Sequence, residues 1–166
     1  MPRSIIFAAL IVDMLAVSFV LGATIWFFFI QAPVLLKRMG RERFVPLQMR
    51  LAVVYFNVVA VAVTAVTAGA AVRARTPWDW SLLAAAFALL AVCINKFIVL
   101  PRALRAGGQS LKQHQGGDES TVADFASEGA GPSTALLHRL VVLFVVLMVA
   151  GLLAHSADFV TASLMR

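Results

Sequence analysis

AAAFALLAVCINKFIVLPRALR, residues 84–105, is apolar over most of its length, carries one amide and one lysine, and runs into a proline. Ala84, Ala88, Ala91 and Asn95 stand at i, i+4, i+7 and i+11, so a helix here presents a narrow face of small side chains closed by a hydrogen-bonding group. Helices in lipid are not driven together by hydrophobicity. Close backbone approach over small residues and polar bonds across the contact hold them instead. The stretch therefore reads as a membrane-spanning helix central to a bundle.

The rest of the chain has the same character. Of its 166 residues 61% are hydrophobic and 13% charged, and the mean hydropathy is +0.92, well outside the range of soluble domains. A hydrocarbon core of about 30 Å takes about 20 apolar residues per helix. Four runs qualify: Ile5 to Ile30, Leu51 to Val72, Trp80 to Leu100 and Leu137 to Phe159. They lack the ten-residue polar/apolar alternation of a transmembrane β-barrel. The expected fold is an all-α polytopic membrane protein, one four-transmembrane-helix bundle over residues 1–166 with a polar loop at 102–136. The lone Cys93 falls inside the third run, which rules out a disulfide framework and a cysteine-based metal site. The net charge of +6 lies beside apolar runs rather than on a soluble face, so it reads as topology and lipid-headgroup contact, not nucleic-acid binding.

Arg3 precedes a first run too long for a cleavable signal and followed by Lys37, Arg38, Arg41 and Arg43, which reads as a retained anchor. Inside it Asp13 lies about 12 Å from the helix start, where an ionised carboxylate needs a partner. Trp26, Phe27, Phe28 and Phe29 form an interfacial cluster before Gln31, and Pro33 is expected to kink or stop the helix. The connection Leu36 to Arg50 holds five Lys or Arg against one Glu. It is expected to lie along the headgroups with Phe44, Val45 and Leu47 dipping inward.

In the second run Asn57, Ala60, Thr64, Ala68 and Ala71 make another small and polar stripe, expected to pack on the face of the third helix, with Asn57 and Asn95 bonding each other or separate backbone groups. The segment 73–80, RARTPWDW, is a short hairpin with Trp78 and Trp80 as interface anchors. Beyond Pro101 the glycine-rich loop is expected to be irregular, with an amphipathic turn at Ser120 to Ser127, and Ser133 is a candidate N-cap for the fourth helix. The connections between helices one and two and between three and four carry nine Lys or Arg, the termini and hairpin four. The positive-inside rule then puts both termini outside the cytoplasm of a bacterial inner (plasma) membrane.

Two polar groupings emerge. Gln31, Tyr55, Asn57, Asn95, Lys96 and His138 fall toward the cytoplasmic ends of their helices and could line one site for an anion, a headgroup or a quinone-like ring. The alternative is a snorkelling Lys96 and an interfacial His138. Asp13, His155 and Asp158 form an outer grouping that could relay a proton or hold an ion if Asp13 meets His155; the alternative is an Asp13 bonded to a neighbouring helix or facing another subunit. Two such ligands without a third make a poor metal site, so no metal site is expected. His138 and His155, 17 residues apart on one helix, are about 26 Å apart and cannot share a haem iron, and no second axial ligand suggests itself. No Ser, Cys and His arrangement or phosphate loop points to catalysis, and no cofactor is expected.

GATIWFFFIQAPVLLKRMGRERFVPLQMRLAVVYF (22–56), NKFIVLPRAL (95–104) and LLHRLVVLFVVLMVAGLL (136–153) together resemble the transmembrane protein 205-like family of four-helix membrane proteins, itself loosely similar to copper-resistance D-like membrane domains. The resemblance implies the same four-helix fold and no settled reaction. Copper handling is a distant implication that Met14 and Met148, far apart in sequence, do not strengthen. The function expected from the residues is that of a non-catalytic accessory or assembly subunit, its partners being the bilayer and other membrane subunits or itself. A carrier or sensor of a small ligand, metal ion or proton is the alternative, and a haem or quinone redox subunit a second one.

Overall fold

The computed structural model describes residues 3–74, 76, 78–105 and 132–164. The elements are α1 (Arg3–Ile25), a π-helical turn (Trp26–Gln31), α2 (Ala32–Arg73), α3 (Trp80–Ile94), a second π-helical turn (Asn95–Val99) and α4 (Pro132–Leu164). Among the described residues four helical stretches are long and apolar enough to cross a membrane: Phe7–Gly40, Arg43–Arg73, Trp80–Arg105 and Leu136–Asp158, spans 1 to 4 below. No strand occurs among the described residues, so the chain is an all-α polytopic bundle. Spans 1 and 2 pack as one hairpin, spans 3 and 4 as another, span 2 joins the two along span 3, and spans 1 and 4 meet narrowly. Phe7, Leu15, Phe29, Val61 and Phe97 stand exposed on the outer surface, the arrangement for a solvent as apolar as the side chains.

Span 3 buries the small face its sequence announced: Ala84, Ala88, Ala91 and Asn95 are all inside. Its partner, however, is span 4. A Cβ on Gly151 would stand 3.0 Å from the Ala84 carbonyl oxygen and 3.1 Å from Ala88 Cβ, and Asn95 Nδ2 donates to the Val141 carbonyl at 3.1 Å. Span 2 contacts the opposite side, where Thr67 Oγ1 donates to the Ala85 carbonyl at 3.2 Å. The stripe expected to do this packing faces outward instead: Asn57, Thr64, Ala68 and Ala71 are exposed, with Ala60 half-buried. Span 2 turns Tyr55, Phe56, Val59, Val63, Val66 and Ala70 to the core. Its whole circumference is apolar or small, so interlocking valines outweigh small-residue spacing.

Neither proline ends a helix. Helical backbone continues through Pro33 and on through Pro101 to residue 105. A proline lacks its N–H and clashes with the carbonyl four residues back; the wider π turn just before each one moves that carbonyl away. In the first turn the Ala32 N–H donates to the Phe27 carbonyl, and in the second the Leu100 N–H donates to the Asn95 carbonyl. The connection expected to lie along the headgroups is helical on both sides of Gly40, where φ of 70° and ψ of 168° break the helix in a region favouring glycine. Phe44, Val45 and Leu47 are half-buried there. The expected turn at Ser120 to Ser127 lies outside the described residues, as do 106–131 generally, and α4 begins at Pro132, one residue ahead of Ser133.

The two hairpins repeat each other. Phe29, Ile30, Pro33, Leu36 and Lys37 recur 68 positions later as Phe97, Ile98, Pro101, Leu104 and Arg105. Inward positions follow the same offset: Asp13, Val17, Val20, Thr24 and Phe27 correspond to Ser81, Ala85, Ala88, Val92 and Asn95, all buried but the half-buried Ser81. Between spans 2 and 4 the offset is 89: Arg50 and Leu51 match Arg139 and Leu140, while buried Phe56, Val59, Val63 and Val66 match buried Val145, Met148, Leu152 and His155. The bundle is thus two like helical hairpins whose equivalent faces form one core.

Candidate functional site

At the end of the bundle nearest the 74–79 connection, one polar group from each span meets in the interior. Asp13 comes from the buried stripe of α1 and is 3% exposed, and His155, from the corresponding stripe of α4, is 1% exposed. Arg73, the last residue of α2, continues the spacing of Val59, Val63, Val66 and Ala70, so its stem follows the buried face and its guanidinium bonds the Asp13 carboxylate. Ser81 enters from the first turn of α3, whose start is fixed by the Asp79 side chain accepting from the Ser81 N–H at 3.1 Å, a regular N-cap. Gly69 makes the approach possible: a Cβ there would already stand 3.3 Å from the Ala9 carbonyl oxygen and 3.5 Å from Asp13 Cβ.

His155 is the hub. Its Nε2 lies 2.9 Å from Asp13 Oδ2 and 3.1 Å from Oδ1. Its Nδ1 lies 2.8 Å from Ser81 Oγ and 2.9 Å from the Ser81 carbonyl oxygen. Arg73 balances the Asp13 charge, and the imidazole is held at both nitrogens. A buried ion pair of this kind is weak evidence for stability, because desolvating two charges offsets most of their attraction, yet removing one partner costs about 3–5 kcal/mol. Such groups inside a membrane usually mark ion or proton paths.

Asp13 and His155, grouped from sequence, are in contact. Asp158, the third of that group, is half-buried one turn beyond His155 on α4; Arg73 and Ser81 also join the contact of Asp13 and His155. In the sequence Arg73 reads as a basic charge of the hairpin, and nothing in the spacing pairs Ser81 with a histidine. Both stand on the buried stripes of their helices, a signal present in the spacing.

The inner grouping does not form one site. Tyr55 is buried within the first hairpin, its hydroxyl 2.7 Å from Thr24 Oγ1 and its ring stacked on Phe27 at 4.6 Å. Asn95 is buried within the second hairpin against Val141. Asn57 is two residues past Tyr55, about 200° around the helix, and therefore exposed; it does not meet Asn95. His138 is exposed as well. Lys96 is half-buried with Nζ 5.1 Å from the Phe97 ring centre. Gln31, half-buried, lines a shallow groove of about 240 Å³ with Trp26, Phe27, Leu51 and Tyr55. Shared depth does not bring these groups together, because they point in different directions around their helices. Among the described residues no group of three His, Cys, Asp or Glu gathers as metal ligands do.

Four apolar helices around a buried ion cluster define a multi-pass membrane protein. Residues 15–110 match a domain of unknown function, DUF4149, and the chain belongs to that family. The match runs from within span 1 to beyond the end of span 3, with Asp13 just ahead of it and His155 past it. Searches of curated proteins and of solved structures found no match.

Proposed function

We propose that the chain is a non-catalytic membrane protein that senses or carries a small ligand, a proton or small cation, through Asp13, Arg73, Ser81 and His155. The observation behind this reading is the convergence of one polar group from each of four spans on a site whose Asp and His are almost wholly buried. A bundle held only by packing has no need of four such groups, since ionisable residues are costly in hydrocarbon. The excess of basic residues on the connections between spans 1 and 2 and between spans 3 and 4 supports a cytoplasmic location for those connections in a bacterial inner membrane. The site then lies toward the outer face. The family match, to a domain of unknown function over residues 15–110, supplies no ligand.

Liposomes containing the protein and a trapped pH-sensitive dye test this. A carrier relaxes an imposed pH gradient; a sensor leaves the gradient intact but changes the emission of Trp78 and Trp80, which flank the site on the 74–79 side. Asp13→Asn and His155→Gln should abolish whichever response the wild type gives. A response equal in wild type and both variants rejects the reading.

A second reading, an accessory or assembly subunit, is favoured by the outward stripe on span 2. Asn57 is exposed seven residues inside Arg50, about 10 Å into the hydrocarbon, where an amide finds hydrogen-bond partners only on another protein. Native mass spectrometry after mild extraction should show a heavier species of fixed composition that Asn57→Leu dissociates; a monomer in both proteins removes this reading.

A further inference from the structure

We propose that the cluster binds one proton, taken up on His155 Nδ1, with the Ser81 hydroxyl as the rotating partner that lets the ring sit unchanged in both states. The inference rests on the reading that Asp13, Arg73, Ser81 and His155 are the functional site, and it names the ligand.

The argument comes from the pairing of the two ring nitrogens. In the neutral ring, Nε2–H donates to Asp13 Oδ2 across 2.9 Å, and the Nδ1 lone pair accepts the Ser81 hydroxyl hydrogen across 2.8 Å. In the charged ring, Nε2–H keeps its bond to Asp13, and the new Nδ1–H donates to the Ser81 carbonyl oxygen across 2.9 Å. The hydroxyl then turns its hydrogen away from the ring. An imidazole needs one donor and one acceptor partner when neutral and two acceptors when charged. Ser81 alone supplies both kinds at Nδ1. No heavy atom has to move, so the change of state requires only a hydroxyl rotation and one proton.

The charges around the ring favour a cation. From α1 the ring faces the Asp13 carboxylate, from α2 the Arg73 guanidinium behind it, and from α3 the Ser81 backbone with the Asp79 carboxylate two residues earlier; on its own helix Asp158 lies three residues on. Among the described residues the anion bonded to the ring itself is Asp13, so a proton added to the ring completes an ion pair with it. Its route is short. Ser81 is half-buried beside the exposed Trp80, and the Arg73 side chain is 15% exposed, while Asp13 and His155 are sealed. The proton therefore exchanges with water on the side of the 74–79 connection.

The test uses full-length protein with ¹⁵N-labelled histidine in phosphatidylcholine–phosphatidylglycerol bilayers, read by magic-angle-spinning NMR. His155 is assigned by the signals lost in His155→Gln. The expected result is a ring protonated at Nε2 alone in alkaline buffer and at both nitrogens in acid. Ser81→Ala removes the donor to the neutral ring but keeps the carbonyl that accepts from the charged one, so proton affinity should rise about tenfold. Asp13→Asn removes the anion facing the charged ring, so its midpoint should move the opposite way. A ring fixed in one state throughout, or a Ser81→Ala midpoint unmoved or moved downward, overturns the proposal. Should Asp13→Asn fail to fold, Ser81→Ala alone still decides it. A fixed ring with liposome responses that still require Asp13 would retain the site and reject the proton. A ring that titrates as described, with responses indifferent to Asp13 and His155, would retain the proton site and reject its functional role.

Discussion

Gly151→Ala should destabilise the bundle, although alanine is the better helix former. A Cβ at that position meets the Ala84 carbonyl oxygen at 3.0 Å, Ala88 Cβ at 3.1 Å and the Ala88 nitrogen at 3.2 Å. Two of these atoms are α3 backbone and the third is fixed to it, so none can swing aside. Non-bonded heavy atoms rest at about 3.5–4.0 Å, so α4 must retreat from α3 by roughly half an ångström. Overpacking of this sort costs about 1–3 kcal/mol, offset by about 0.5–1 kcal/mol for replacing glycine in a helix, a net loss of up to about 2.5 kcal/mol. The retreat also stretches the Ser81–His155 contacts one turn along. Gly22→Ala is the control: nothing lies within 4 Å of a Cβ there, so only the helix gain of about 0.5–1 kcal/mol remains. The folded fraction against sodium dodecyl sulfate in mixed micelles, followed by circular dichroism, gives both values. If Gly151→Ala is as benign as Gly22→Ala, close approach of α3 and α4 at this point is refuted.

Arg73→Ala leaves the Asp13 carboxylate buried without its guanidinium and should cost about 3–5 kcal/mol in the same titration; the double variant with Asp13→Ala should cost less than the sum of the single changes by about 0.5–3 kcal/mol, and simple additivity would show that the pair does not interact. Tyr55→Phe should lose about 0.5–1.5 kcal/mol, the Thr24 hydrogen bond alone, while Tyr55→Ala loses about 3–5 kcal/mol with the ring stacked on Phe27; equal losses would contradict the stacked geometry. Asn95→Leu should cost about 1 kcal/mol through the Val141 bond, and an unchanged midpoint would argue that the amide contributes nothing across spans 3 and 4.

The four spans were legible because each is an apolar run of membrane length, a property that survives ignorance of every contact. The buried face of span 3 was legible too, since its alanines and Asn95 form a stripe among larger neighbours. Span 2 was not, because valine, alanine and threonine alternate around its whole circumference and no spacing singles out one side. Asp13 and His155 drew notice as charges within apolar runs. Arg73 did not: a positive residue at a helix end also marks topology, and only its register with Val59, Val63, Val66 and Ala70 separates the two roles. The inner grouping failed for a related reason. It matched residues by depth, and depth leaves the direction around each helix open.

The π turns have a consequence for where charge sits. The inward positions of span 1, Asp13, Val17, Val20, Thr24 and Phe27, step by four and three; continued unchanged they would reach Gln31, Val34 and Arg38. In span 3 the same steps from Ser81 through Asn95 lead to Val99 and Arg102. Each turn threads one additional residue into the coil and advances the phase by one position, so Leu35 and Met39 in span 1 and Leu100, Ala103 and Leu104 in span 3 face the bundle, while Arg38 and Arg102 stand exposed. The widened turns thus act as phase correctors that keep cations out of the protein interior. Deleting Ile30 alone would remove that additional residue and leave Leu35 and Met39 facing the bundle in an uninterrupted α-helix, whereas tightening the turn with every residue retained would swing Arg38 toward the core.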